Sequence, residues 1–195
     1  ATIVGLLALY QVGRAMFGSR VGLVAALTLS VNGFFVAFGR IVQYQAVVFA
    51  MSALALLAAW RYAEGGPRAR RFLVLSALFV AVGLLAHYDT LLVVPAVAWL
   101  AAGRWRRELA SVRRDARALA LGIGLAGVIL AAFYVPMVRH PYFRETTWAY
   151  LFELRLGGEG EGMVHNTLPN ALALASFYNS TYYLAGLAVA LLASI

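Results

Sequence analysis

The sequence predicts an all-α fold: a polytopic transmembrane helical bundle with an outer, partly helical loop segment. Three observations predict it. Hydrophobic residues make up 63% of the chain and charged residues 12%, against about 25% charged in an ordinary soluble domain. The mean hydropathy is +0.81. The apolar residues fall into long blocks separated by arginine-rich linkers, the pattern of repeated bilayer crossing. All sixteen basic residues are arginine, and there is no cysteine. That excludes disulfides, thiolate metal sites and a cysteine nucleophile. The net charge of +8 reflects membrane topology rather than nucleic-acid binding, because the arginines cluster between apolar blocks. Membrane lipids are therefore expected partners, and nucleic acid is not.

The blocks lie at 1–13, 21–39, 46–60, 72–86, 91–103, 118–136 and 182–195. They read as the spans of one transmembrane domain covering 1–195, with 137–181 as the outer segment. The first and last blocks open and close the chain, so it is expected to be a stretch of a longer protein. From Val21 to Trp60 a single helix would be about 60 Å long, twice a bilayer core of about 30 Å. It must turn, and its only polar knot is "GRIVQYQ" at 39–45. Phe72 to Gly103 would reach about 48 Å. It must turn as well, at "HYDT", residues 87–90.

Flanking charge sets the orientation. The linkers 13–20, 61–71 and 104–117 hold twelve of the sixteen arginines and three of the eight acids. They are short, so the positive-inside rule makes them cytoplasmic. Arg40, the His87–Asp89 cluster and segment 137–181 then share the outer face. In that segment "ETTWAYLFELRL" has helical spacing, with Glu145 near its start and Arg155 near its end, as the helix dipole prefers. "GGEGEG" interrupts it. Residues 170–181 suit an interfacial helix, and the surrounding aromatics suit the membrane–water boundary.

"GIGLAG" at 122–127 fits a dinucleotide fingerprint by letter only. It lies mid-span without a preceding strand, so its small residues are read as a helix-packing surface. "NST" at 179–181 fits a glycosylation acceptor but abuts a span. Arg40 can clamp phosphate through its planar guanidinium or snorkel to lipid headgroups. His87 and Asp89 can form an acid/base or sugar-binding pair, or Asp89 can cap the following helix. One His and one Asp do not complete a metal site, so none is assigned and no cofactor is predicted. A divalent ion would need an acid from elsewhere. Arg155, Tyr178, Asn179 and Tyr182 can face substrate or form an aromatic belt. His140 and His165 read as loop residues.

The run of "RAMFGSR", then "FGRIVQYQAVVFAMSALALL", then "GLLAHYDTLLVVPAVAWL" resembles the GT-C membrane glycosyltransferases. The nearer branch holds the protein O-mannosyltransferases and lipid A aminoarabinose transferases. "FYNSTYYL" resembles the outer segment before a late span in some bacterial members. The resemblance implies an enzyme that moves a sugar from a polyprenyl-phosphate donor to an acceptor by direct inverting displacement. It also implies a multi-pass protein of the bacterial inner membrane, with its active site facing the periplasm. An acidic residue deprotonates the acceptor, and basic residues stabilise the departing lipid phosphate.

The family's acid lies in the first outer loop, before its second span, and this chain begins inside what matches the second. The general base is thus expected upstream of Ala1, and the stretch alone is expected to be inactive. Many relatives carry Asp where this chain has Gln45, which cannot act as a base at neutral pH. Arg40 carries over as a donor-phosphate candidate, with Arg155 as a weaker second. Gln43, Gln45, His87, Tyr88 and Asp89 are expected to line the same cleft, with Tyr178 and Asn179 as further substrate candidates. Neither sugar nor acceptor is specified. The rival classes are a secondary transporter, which should show repeated halves and mid-membrane polar groups, and a non-catalytic scaffold, which should tolerate loss of Arg40 and Asp89.

Overall fold

The computed structural model describes residues 1–40 and 44–149. Every regular element among them is helical, and no strand occurs. In chain order they are α1 (Thr2–Phe17), α2 (Ser19–Ser30), α3 (Gly33–Arg40), α4 (Gln45–Glu64), α5 (Ala69–Ala86), a 3₁₀ helix at Tyr88–Val93, α6 (Val94–Arg107), α7 (Leu109–Arg139) and a π turn at Arg144–Trp148. Three stretches, Gln45–Glu64, Ala69–Ala86 and Ser111–Arg139, are long and apolar enough to cross a membrane. This is an all-α membrane bundle.

The chain divides into two compact units, one of residues 1–30 and 38–133, the other of 31–37 and 134–195. In the first, α4 is central and packs against α1, α5 and α6, while α1 pairs with α2. Small residues make this possible. The buried positions of α4 are Ala50, Ala53, Ala55, Ala58, Ala59 and Tyr62, so backbones approach closely, as membrane helices favour. Gly13 and Gly22 mark the α1–α2 crossing. A Cβ on Gly22 would stand 2.6 Å from backbone atoms of Tyr10 and Arg14. Gly18, at φ +95°, makes the turn between those helices. A polar contact crosses the α4–α5 pair: the buried Ser76 hydroxyl donates to the Ala55 carbonyl at 3.0 Å. Gly122 of α7 lies against Val74 and Ala77 of α5. That matches the packing role expected of "GIGLAG" at one position, whereas Gly124 and Gly127 face open space.

The unit has two distinct ends. At one, α4 turns into α5 through Gly65 and Gly66, both at φ near +90°, and α6 gives way to α7 at Glu108. At the other, α5 stops at His87, whose backbone is extended, and α4 begins just after Tyr44. Gly39 of α3 meets Thr2 at the start of α1. Both polar knots thus terminate helices, as the length arithmetic requires.

Several boundaries differ from the blocks read in the sequence. Block 21–39 is not one helix: the Asn32 side chain accepts the Phe35 backbone N–H at 2.9 Å and starts α3 afresh. Linker 104–117 is almost wholly helical, broken only at Glu108, since alanine and arginine are strong helix formers. Pro136 sits inside α7, which continues to Arg139. Block 91–103 begins as a 3₁₀ helix, and α6 takes over at Val94 with proline in its first turn, where proline is tolerated.

In the second unit, the end of α7 turns through His140–Phe143, with the Phe143 N–H donating to the His140 carbonyl at 3.0 Å. Only the opening of the helix predicted for "ETTWAYLFELRL" is described, and it takes a π turn. Gln43, Arg155, His165, Tyr178, Asn179, the "GGEGEG" stretch and block 182–195 lie outside the described residues.

Candidate functional site: the two polar bends

Two helix ends that are 43 positions apart in sequence meet at the bend end of the first unit. Tyr44, at the threshold of α4, stacks on His87, at the end of α5, with ring centroids 3.9 Å apart and planes within 6°. The Tyr88 ring lies against the same imidazole, with centroids also 3.9 Å apart and planes tilted by 34°. Such aromatic pairs contribute about 0.5–1.5 kcal/mol beyond burial, so the Tyr44–His87 stack ties the two knots together.

The extended backbone at His87 frees its side chain to cap the helix that follows. The Asp89 N–H donates to His87 Nδ1 at 3.3 Å, and Asp89 Oδ2 lies 3.0 Å from the same nitrogen. One nitrogen cannot serve both at once: unprotonated it accepts the amide, and protonated it donates to the carboxylate. The capping role thus belongs to His87, while Asp89 turns its half-exposed carboxylate outward.

Beneath this pair Thr90 is fully buried, seated on Gly83, where a Cβ would come within 2.8 Å of both its methyl and its hydroxyl. Two buried oxygens here, Thr90 Oγ1 and Gln45 Oε1, have no hydrogen-bond partner among the described residues. Unpaired buried polar atoms cost about 1–3 kcal/mol each, so a polar group that reached these two would be stabilised. Arg40 closes α3 four residues before Tyr44 and is exposed. It makes no ion pair among the described residues. The structure therefore joins His87, Tyr88 and Asp89 to the start of α4. It places Arg40 on the chain leading into that junction without a direct contact. No group of three potential metal ligands occurs among the described residues.

Sequence reading missed Tyr44, although it stood inside "GRIVQYQ". It also missed a buried network at the opposite end. There Tyr62 Oη donates to Asp115 Oδ2 at 2.9 Å and accepts from Trp105 Nε1 at 2.6 Å. Arg70 Nε donates to Asp115 Oδ1 at 3.2 Å, and Arg104 Nε stands 3.4 Å from Oδ2. The available signal was Asp115 itself, one of three acids among the arginine-rich linkers. The network clamps α4, α5, α6 and α7 together.

Comparison with known proteins adds identity to this geometry. The family model of dolichyl-phosphate-mannose-protein mannosyltransferases matches residues 1–136, a stretch that contains both polar bends and all three arginine-rich linkers. No curated protein and no solved structure matches the chain. The chain belongs to the dolichyl-phosphate-mannose-protein mannosyltransferase family of GT-C membrane glycosyltransferases.

Proposed function

We propose that the protein transfers a sugar from a polyprenyl-phosphate donor to an acceptor on the outer, periplasmic side of a bacterial inner membrane. The junction of the two polar bends forms part of the donor site. Family membership makes it a membrane glycosyltransferase of the mannosyltransferase type. The observation that carries it is the Tyr44–His87 stack. It unites two knots that hydropathy leaves far apart, beside two buried oxygens without a partner among the described residues.

In this reading the acceptor hydroxyl oxygen attacks the anomeric carbon as the bond from that carbon to the phosphate oxygen breaks, with inversion. The acceptor proton passes to a carboxylate, which we assign to no residue of this chain. Gln45 cannot take it. The electron pair of the broken bond stays on the lipid phosphate, where Arg40 offers a planar, permanently charged partner for two oxygens. A cation beside that phosphate lowers the barrier because charge grows there in the transition state. Gln43, Gln45, His87, Tyr88 and Asp89 line the sugar side. Arg155 is a second phosphate candidate, with Tyr178 and Asn179 as outer contacts.

The test is sugar transfer by the full-length protein from a polyprenyl-phosphate donor. Arg40→Ala should lower kcat by two to three orders of magnitude, roughly the loss seen when one transition-state charge donor is removed, while the protein stays folded. Turnover equal to the unmodified enzyme would remove Arg40 from the donor site.

A further inference from the structure

At the arginine-rich end, far along α4 from the bends, the C-terminal turns of α4 and α6 enclose a cavity of about 460 Å³. We propose that this cavity holds the phosphate headgroup of an anionic membrane phospholipid, a binding site separate from sugar transfer. Charge pairing around the wall supports this. Its two acids are already taken: Glu64 pairs with Arg61 at 3.0 Å, and Glu108 pairs with Arg114. Arg104 is engaged with Asp115. Arg107 remains. Among the described residues its Nη2 donates to the Ala63 carbonyl at 3.0 Å, and it faces no carboxylate. A guanidinium held by one nitrogen keeps further N–H donors for a phosphate.

The rest of the wall fits a lipid rather than a free ion. Trp60 and Trp99 stand on it, and tryptophan favours the headgroup level of a bilayer. Trp99 is 65% exposed, and its ring carries the Arg106 guanidinium 4.9 Å from its centre. The Trp60 indole N–H is buried without an acceptor among the described residues. Gly103 leaves the cavity open: a Cβ there would meet nothing within 4 Å. The linkers feeding this end hold twelve arginines against three acids, a field that draws anionic lipid.

The experiment uses the full-length protein in phosphatidylcholine nanodiscs. Quenching of tryptophan fluorescence is read after adding a minor fraction of brominated phosphatidylglycerol or brominated phosphatidylcholine. The expected result is several-fold stronger quenching by phosphatidylglycerol. That preference should vanish in Arg107→Gln, which keeps a hydrogen-bond donor, and in Gly103→Glu, which puts a negative charge in the open space. Gly103→Glu also replaces glycine with a better helix former, so an unchanged melting temperature separates lost binding from misfolding. Equal quenching by both lipids overturns the proposal, as does an anionic preference that survives both substitutions. Binding of soluble glycerol phosphate that Arg107→Gln abolishes, with no preference between the two lipids, assigns the site to a free phosphate and overturns the lipid occupant. Sugar transfer is not needed for any of these readouts, so a failed donor-site assignment would leave them intact.

Discussion

His87 shows how one residue can serve fold and function together. Its extended backbone ends α5, its Nδ1 caps the next helix, and its ring packs against Tyr44 and Tyr88. Phenylalanine would keep the stack and lose the cap. His87→Phe should therefore leave the melting temperature within a few degrees of the parent, since a lost cap costs about 1 kcal/mol, yet impair transfer strongly if the imidazole faces the sugar. Near-parental transfer would confine His87 to a structural role. Asp115 presents the contrasting case. Its carboxylate is 4% exposed and faces Tyr62, Arg70 and Arg104. Asp115→Ala should destabilise the protein by about 3 kcal/mol, because buried partners are left uncompensated. A thermal-unfolding comparison of the two proteins checks it. No spacing rule could have shown this cluster, since Tyr62 and Asp115 stand 53 positions apart and their pairing exists only once the helices pack.

Among the elements, glycine content decides which helices touch. Gly22 sits where a Cβ would press on the backbone of α1 at 2.6 Å, while Gly124 of α7 meets nothing within 4 Å. Gly22→Ala should accordingly cost about 1–3 kcal/mol through overpacking, and Gly124→Ala should be neutral or stabilise by up to about 1 kcal/mol. Parallel melts of the two variants decide the matter; equal shifts would contradict the α1–α2 crossing. The hairpins themselves were legible in the sequence, because an apolar run twice the bilayer thickness has to turn at its polar knot. The break before α3 was harder to see. Asn32-Gly33 is a helix-start signal, but it sits in so apolar a stretch that hydropathy ran through it. The helical character of 104–117 was hidden for the converse reason: its charges suggested a loop, whereas alanine and arginine favour helix.

On the largest scale, charge and packing agree on two dissimilar ends of the first unit. One gathers the buried Asp115 network and most of the arginines; the other gathers the two polar bends. The proposed orientation puts the arginine end in the cytoplasm. The absence of cysteine allows single-cysteine mapping. Asp89→Cys should react with an impermeant maleimide added outside, and Arg68→Cys only after permeabilisation; the opposite pattern would invert the topology.

The central claim is that the bends at 39–45 and 87–90 wall one donor site. It is tested most directly by photo-crosslinking the full-length protein with a polyprenyl-phosphate sugar carrying a diazirine beside the phosphate, followed by peptide mapping. The account predicts adducts in both bends, competed away by unlabelled donor. Competable adducts confined to the arginine-rich linkers, with none in either bend, would contradict it.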